Sequence, residues 1–114
     1  MAAEYDSYGR PVESVTMQDA AAAMGNGTSI EVRNKSTASI LLTGSMTNLA
    51  ITFEATNDGN VWTAVLATSV TTSVAATTAT AAGLYVIYCT AFLRVRARIS
   101  TWVAGEVTAI GLTR

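Results

Sequence analysis

The sequence predicts an all-β protein, an antiparallel sandwich or small barrel, on three observations. Apolar and polar residues alternate at period two, as where Leu49, Ile51, Phe53 and Ala55 interleave with Ala50, Thr52, Glu54 and Thr56. Such runs recur at about eight-to-twelve-residue spacing with turn residues between them. The polar stretch Asn57-Asp58-Gly59-Asn60, followed at once by Trp62, reads as a hairpin reversal. A chain of 114 residues has room for one core.

In chain order, residues 1–15 are polar, hold the only proline and show no periodicity. Such a tail is expected to be disordered alone and to gain order against a partner, with Tyr5, Tyr8, Arg10 and Val12 as its anchors. The alternative is an arm folded back on its own domain. Thr16-Met17-Gln18-Asp19 followed by Ala20 to Met24 could cap and form a short helix over 17–24, or remain an extended linker. Residues 1–24 are therefore read as an N-terminal arm and 25–114 as the β domain.

Thr28 to Arg33 alternates around Ile30 and Val32, and Asn34-Lys35-Ser36 turns the chain into Ala38 to Thr43. The hairpin of 48–66 comes next, with Asn57, Asp58 and Gly59 as its structural turn. A tight primed turn would place both Asp58 and Gly59 at positive φ. Thr68 to Ala82 is a tract of small and β-branched residues with little charge, read as an edge strand with a loop, or as a flat face against a neighbouring subunit. Leu84 to Thr90 carries apolar residues on both faces, which predicts that both are covered. In Phe92 to Ser100, Leu93, Val95, Ala97 and Ile99 point inward against Arg94, Arg96 and Arg98 outward. Residues 101–105 should turn, and Glu106 to Leu112 should return as the last strand. The spacing echoes two three-stranded meanders.

Composition narrows the function. Only 13% of residues are charged, against about a quarter in an ordinary solvated domain, which points to surface lying against other protein. Threonine hydroxyls solvating a lone domain are the alternative. A net charge of −1 argues against nucleic-acid binding. The chain contains no histidine and a single cysteine, Cys89, so the commonest general base and any zinc-ligand set are missing. Cys89 reads as a small buried hydrophobe. No catalytic residue, cofactor site or metal site is expected, and the Asn57–Asp58–Asn60 turn lacks the spaced carboxylates of a calcium loop. The N-terminus has no signal-peptide pattern and no apolar run reaches membrane-spanning length, so the reading is cytoplasmic synthesis without membrane association.

The arginine ladder is the sharpest polar feature. Three guanidinium groups on one strand face need compensation, from Glu31, Glu54 or Glu106 within the chain, from acidic groups of a partner subunit, or from solvent. Trp62 and Trp102 could form a sugar-stacking platform, or could cap the core near their turns.

Four segments, GNGTSIEV at 25–32, ITFEATNDGNVW at 51–62, AAGLYVIY at 81–88 and FLRVRARISTWVAGEVTAIGL at 92–112, resemble a group of small β-sandwich structural proteins of tailed bacteriophages. These look like head decoration (cement) or tail-associated proteins. The hairpin segment is also similar to a turn of discoidin-like carbohydrate-binding sandwiches. The resemblance implies a jelly-roll-like antiparallel β-sandwich with an extended N-terminal arm and no enzymatic activity. It implies a capsid-surface location in the virion, binding to the major capsid protein, and self-association as a homotrimer. A tail or baseplate subunit and a carbohydrate-binding module are the alternatives.

Overall fold

The computed structural model describes the backbone of Glu4–Tyr5 and of residues 11–113, with side chains from residue 14 to residue 113. The described strands are β1 (Glu4–Tyr5), β2 (Pro11–Ala21), β3 (Ile30–Glu31), β4 (Thr37–Thr43), β5 (Asn48–Thr56) and β6 (Thr63–Ala64), then β7 (Ala67–Ser69), β8 (Ala75–Ala76), β9 (Thr78–Ala79), β10 (Gly83–Tyr88), β11 (Arg94–Ala104) and β12 (Val107–Thr113). They form a seven-stranded sheet, ordered β1-β2-β12-β4-β10-β7-β8, and a five-stranded sheet that contains β3-β11-β5-β6 with β9 also on β5. All the pairings are antiparallel, so the fold is the all-β sandwich expected.

The core lies between the sheets and follows the period-two pattern. Met17, Ile40, Leu42, Ile87, Val107 and Ala109 face inward from the larger sheet, and Ile30, Ile51, Phe53, Val95, Ala97 and Ile99 from the smaller. Phe53 meets Tyr85 across the layer, ring centroids 5.4 Å apart and tilted by 42°, a favourable offset for aromatic quadrupoles. Gly111 packs closely: a Cβ there would stand 2.8 Å from Sδ of the buried Met17, which would have to shift. Gly105 is required by conformation, with φ of 99° where the chain passes from one sheet to the other.

Residues 17–21 are neither the short helix nor the free linker considered for 17–24, but part of a paired strand. Residues through Ala21 pair with β12, with bulges between Val107 and Ile110 and positive φ at Ala20. Pairing along β12 satisfies a whole edge of backbone groups and buries Met17, whereas one or two alanine turns gain little. The arm from Pro11 onward is thus a structural strand of the sandwich, and the arm–domain boundary at 24/25 falls after it. Tyr5 pairs with Pro11, and Glu4 with Val12, in the β1–β2 ladder. The side chains of Tyr5 and Val12, and both Tyr8 and Arg10, lie outside the described residues. Gln18 then bridges the layers. Its buried Nε2 donates to the Ala97 carbonyl at 2.9 Å and to the Gly25 carbonyl at 3.3 Å, closing part of the β11 edge.

The meander expectation is also corrected. The long strands β2, β4, β5, β10, β11 and β12 alternate largely between sheets, so β12 lies between β2 and β4, and β11 pairs with β5. Residues 101–104 continue β11 through two register shifts, and the turn is confined to Gly105 and Glu106. β5 and β6 do form a hairpin, but its last pair is Ala55 with Thr63, so residues 56–62 make a wide loop. Only Gly59 is at positive φ there, at 81°, and Asp58 is not. Finally, β10 is covered on one face alone: Ile87 and Cys89 are buried, while Leu84 and Tyr88 are exposed. The Thr68–Ala82 tract supplies β7 and the edge strand β8, then crosses to β9.

Candidate functional site

The sandwich has two outer faces of opposite chemistry. On the larger sheet, the outward positions are Thr37, Ser39, Leu41 and Thr43 of β4, Leu84, Val86 and Tyr88 of β10, and Thr108, Ile110 and Leu112 of β12, none of them charged. Register places Leu41 opposite Leu84 on one side and opposite Ile110 on the other. These side chains form an apolar row across three adjacent strands, with relative exposures of 41% for Leu41, 38% for Leu84 and 41% for Ile110. Tyr88, 75% exposed, extends the row along β10. Threonine and serine rim it, so the part of the face built by β4, β10 and β12 is wet by hydroxyls and carries no charged side chain. Exposed apolar groups clustered in this way mark an interaction surface more than isolated ones do.

The smaller sheet carries the charge. Arg94, Arg96 and Arg98 point outward as the alternation predicts, while Val95, Ala97 and Ile99 are buried. Of the three glutamates expected to compensate them, Glu54 does so: it sits opposite Arg96 in the β5–β11 register. Its Oε1 accepts from Arg96 Nε at 2.8 Å and from Arg98 Nε at 3.0 Å. Burial pushes the Glu54 carboxyl upward, but the bonds from Arg98 and Arg96 and their positive charges outweigh it, holding the group below its ordinary range. Arg94 turns instead to Ser29, donating from Nε to Oγ at 2.7 Å and from Nη2 to the carbonyl at 3.2 Å. Glu31 lies beside Arg33, 3.7 Å away and well exposed. Thr52 donates to Ser100 Oγ at 2.7 Å, continuing the polar layer.

The arrangement explains Trp62, which the sequence placed only near a turn. The Arg96 guanidinium lies 4.1 Å from the centre of the indole, a cation–π stack. Trp102 sits six residues further along the same strand as Arg96, about 20 Å at strand rise. Its Nε1 donates to the Gly105 carbonyl at 2.9 Å. The two tryptophans are therefore engaged separately and do not build one stacking platform.

The 56–62 loop is organised by two side chains. Asp58 Oδ1 accepts from the backbone N–H of Val61 at 2.9 Å and of Asn60 at 2.8 Å, and from Thr56 Oγ1 at 3.1 Å. Thr56 Oγ1 in turn accepts from the Gly59 amide at 3.0 Å. These amide bonds, that of Val61 foremost, hold the Asp58 carboxyl below its usual range. Beside the loop lies a shallow recess of about 400 Å³ lined by Ala55, Thr56, Asp58, Val61, Val65 and Phe92. Val65 and Phe92 also border a second recess of about 380 Å³ that reaches Leu66 and Tyr88. Cys89 is fully buried, as expected, and burial pushes its thiol upward.

Sequence reasoning found the arginine face and the Asp58 loop. It missed Gln18, Trp62 as the partner of Arg96, and the uncharged face of the larger sheet. The alternation Thr37-x-Ser39-x-Leu41 held the last signal, but only the strand order places those residues beside Leu84 and Ile110.

Comparison with known proteins places the fold. No curated protein matches the sequence. The structure is similar to that of the SPBc2 prophage-derived protein YomS, with a TM-score of 0.82 and 21% identity, over 90% of this chain and 91% of that one. It is also similar to the PBSX exported protein XepA, with a TM-score of 0.83 and 10% identity, over 99% of this chain. That match spans only 44% of the XepA chain, so this chain corresponds to less than half of that protein. The family model for XepA matches residues 11–113, from the strand that starts the sandwich to the end of the last one, and on that match the chain belongs to the XepA family.

Proposed function

We propose that this chain is a non-catalytic phage structural protein that docks the uncharged β4–β10–β12 part of its larger sheet onto an assembled protein surface. Its concrete form is a capsid decoration protein bridging major capsid subunits. The observation that carries the reading is the row Leu41, Leu84 and Ile110, exposed across three strands among hydroxyl side chains, with no charged residue at the outward positions of β4, β10 and β12. A neutral, partly apolar sheet face can be desolvated against a partner at little cost, whereas each unpaired buried charge would cost several kcal/mol. Bound copies would raise the barrier to separating shell subunits by mass action. Catalysis has no support among the described groups, since Glu54 is committed to two arginines, Asp58 to loop amides, and Cys89 is buried.

A second reading draws on the description of the PBSX relative as exported. A protein released from the producing cell would use the same face on another surface. Tail attachment, or a glycan held in the recess beside Asp58, would be further forms of it.

The test is co-sedimentation of the purified chain with shells that lack it, alongside a Leu41→Lys/Ile110→Lys variant. Saturable binding lost in the variant, with unchanged thermal unfolding, supports decoration. Absence of binding to shells, together with recovery of the protein from cleared culture medium and not from purified virions, overturns it in favour of the exported reading.

A further inference from the structure

Among the described residues, the smaller sheet presents a positive charge that its own carboxylates do not balance. Arg33, Arg94, Arg96 and Arg98 share that face with Glu31 and Glu54, so four of the seven cationic side chains of the sequence meet two carboxylates. The whole chain is net negative, which makes this local excess positive against the trend. Both Arg96 and Arg98 spend Nε on Glu54, and among the described residues their Nη groups have no acceptor. Arg94 likewise keeps one Nη without an acceptor among the described residues. The row is also stiff. Arg96 is pinned between Glu54 and the Trp62 ring, Arg98 by Glu54, and Arg94 by two bonds to Ser29.

Because the arginines occupy alternate positions of one strand, their Cα atoms repeat about every 6.7 Å. An extended polypeptide with acidic side chains on alternate residues repeats at the same distance on one face. A guanidinium end offers two parallel N–H donors to a carboxylate. Arg96 and Arg98 converge on one oxygen of Glu54 while Arg94 turns to Ser29, so the row offers two cationic points along the strand, the Arg96–Arg98 pair and Arg94. We propose that this arginine row binds an extended acidic segment of a partner protein, with carboxylates on one face of the segment meeting the Arg96–Arg98 pair and Arg94. A polynucleotide fits less well, since the positive charge is confined to one short row on a net negative chain. This face is opposite the one assigned to docking above, and the inference does not depend on that assignment.

Titration calorimetry on the full chain tests it, with a short peptide alternating glutamate and threonine as the probe. Comparison probes are the same composition with the glutamates contiguous, a thymidine oligonucleotide and inorganic phosphate. The expected result is saturable binding of the alternating peptide, at least tenfold tighter than any comparison probe. That binding should weaken steeply between about 0.05 and 0.5 M salt. Arg98→Gln and Arg94→Gln, each checked for an intact fold by circular dichroism, should each weaken it about tenfold. No saturable binding, no weakening in either variant, or equal affinity for a comparison probe would overturn the proposal. Because shells are absent from this experiment, its failure leaves the decoration reading standing, and the reverse holds for co-sedimentation.

Discussion

Replacing Glu54 with glutamine tests whether the ion cluster on the smaller sheet stabilises the fold or merely decorates it. The carboxylate accepts two charge-assisted bonds, at 2.8 and 3.0 Å, and its side chain is only 10% exposed. Hydrogen bonds to charged groups contribute roughly 1.5–3 kcal/mol each. The gross loss is therefore about 3–6 kcal/mol, but two corrections reduce it. The carboxamide oxygen can still accept both bonds, though without the charge, and Arg98, 34% exposed, can turn to water. A net destabilisation of about 2–3 kcal/mol remains. For a domain of this length that corresponds to a fall in Tm of about 10 °C. The pH dependence carries the sharper test. The folded carboxyl is held below its ordinary value, so its stabilising contribution is complete above the unfolded pKa of about 4.3 and is lost as pH falls through the folded value. Thermal unfolding of both proteins should show the full gap near pH 7 and a narrowing gap below about pH 4. A difference under about 2 °C at neutral pH, or one that persists undiminished in acid, would refute the assignment of Glu54 as the keystone of the cluster.

Three further outcomes follow from the geometry. Gly111→Ala sets a methyl against Met17 Sδ in the core, and denaturant unfolding should show a loss of about 1–3 kcal/mol, relieved in part by a smaller residue at Met17. The Cys89 thiol, fully buried and pushed up by desolvation, should resist alkylation in the folded protein and react at the rate of unfolding, as read by mass spectrometry across a denaturant series. Asp58→Ala removes the acceptor for the Asn60 and Val61 amides. It should speed proteolytic cleavage within residues 57–61 while leaving the Tm nearly unchanged, because the loop lies outside the core.

Local periodicity was enough to read which residues of β5 and β11 face the core. Ile51 and Phe53 of β5 and Val95, Ala97 and Ile99 of β11 are buried as their alternation requires, because a strand's side chains project by parity regardless of its neighbours. Cys89 and the outward arginines were legible for the same reason. Strand partners were not. Residues 11–21 join β12, and β11 crosses to β5, through pairings that depend on loop closure and on which edges would otherwise stay open. That is also why Thr16 to Ala21, locally indifferent between helix and strand, became strand and bulge: the unpaired edge of β12 decided it. The chemistry of the two outer faces follows the same division. Sequence parity set each residue outward, but only the strand order gathers Leu41, Leu84 and Ile110 into one neutral row and brings Glu54 and Trp62 to the arginines, since side chains distant in sequence become neighbours only once the ladders between their strands have formed.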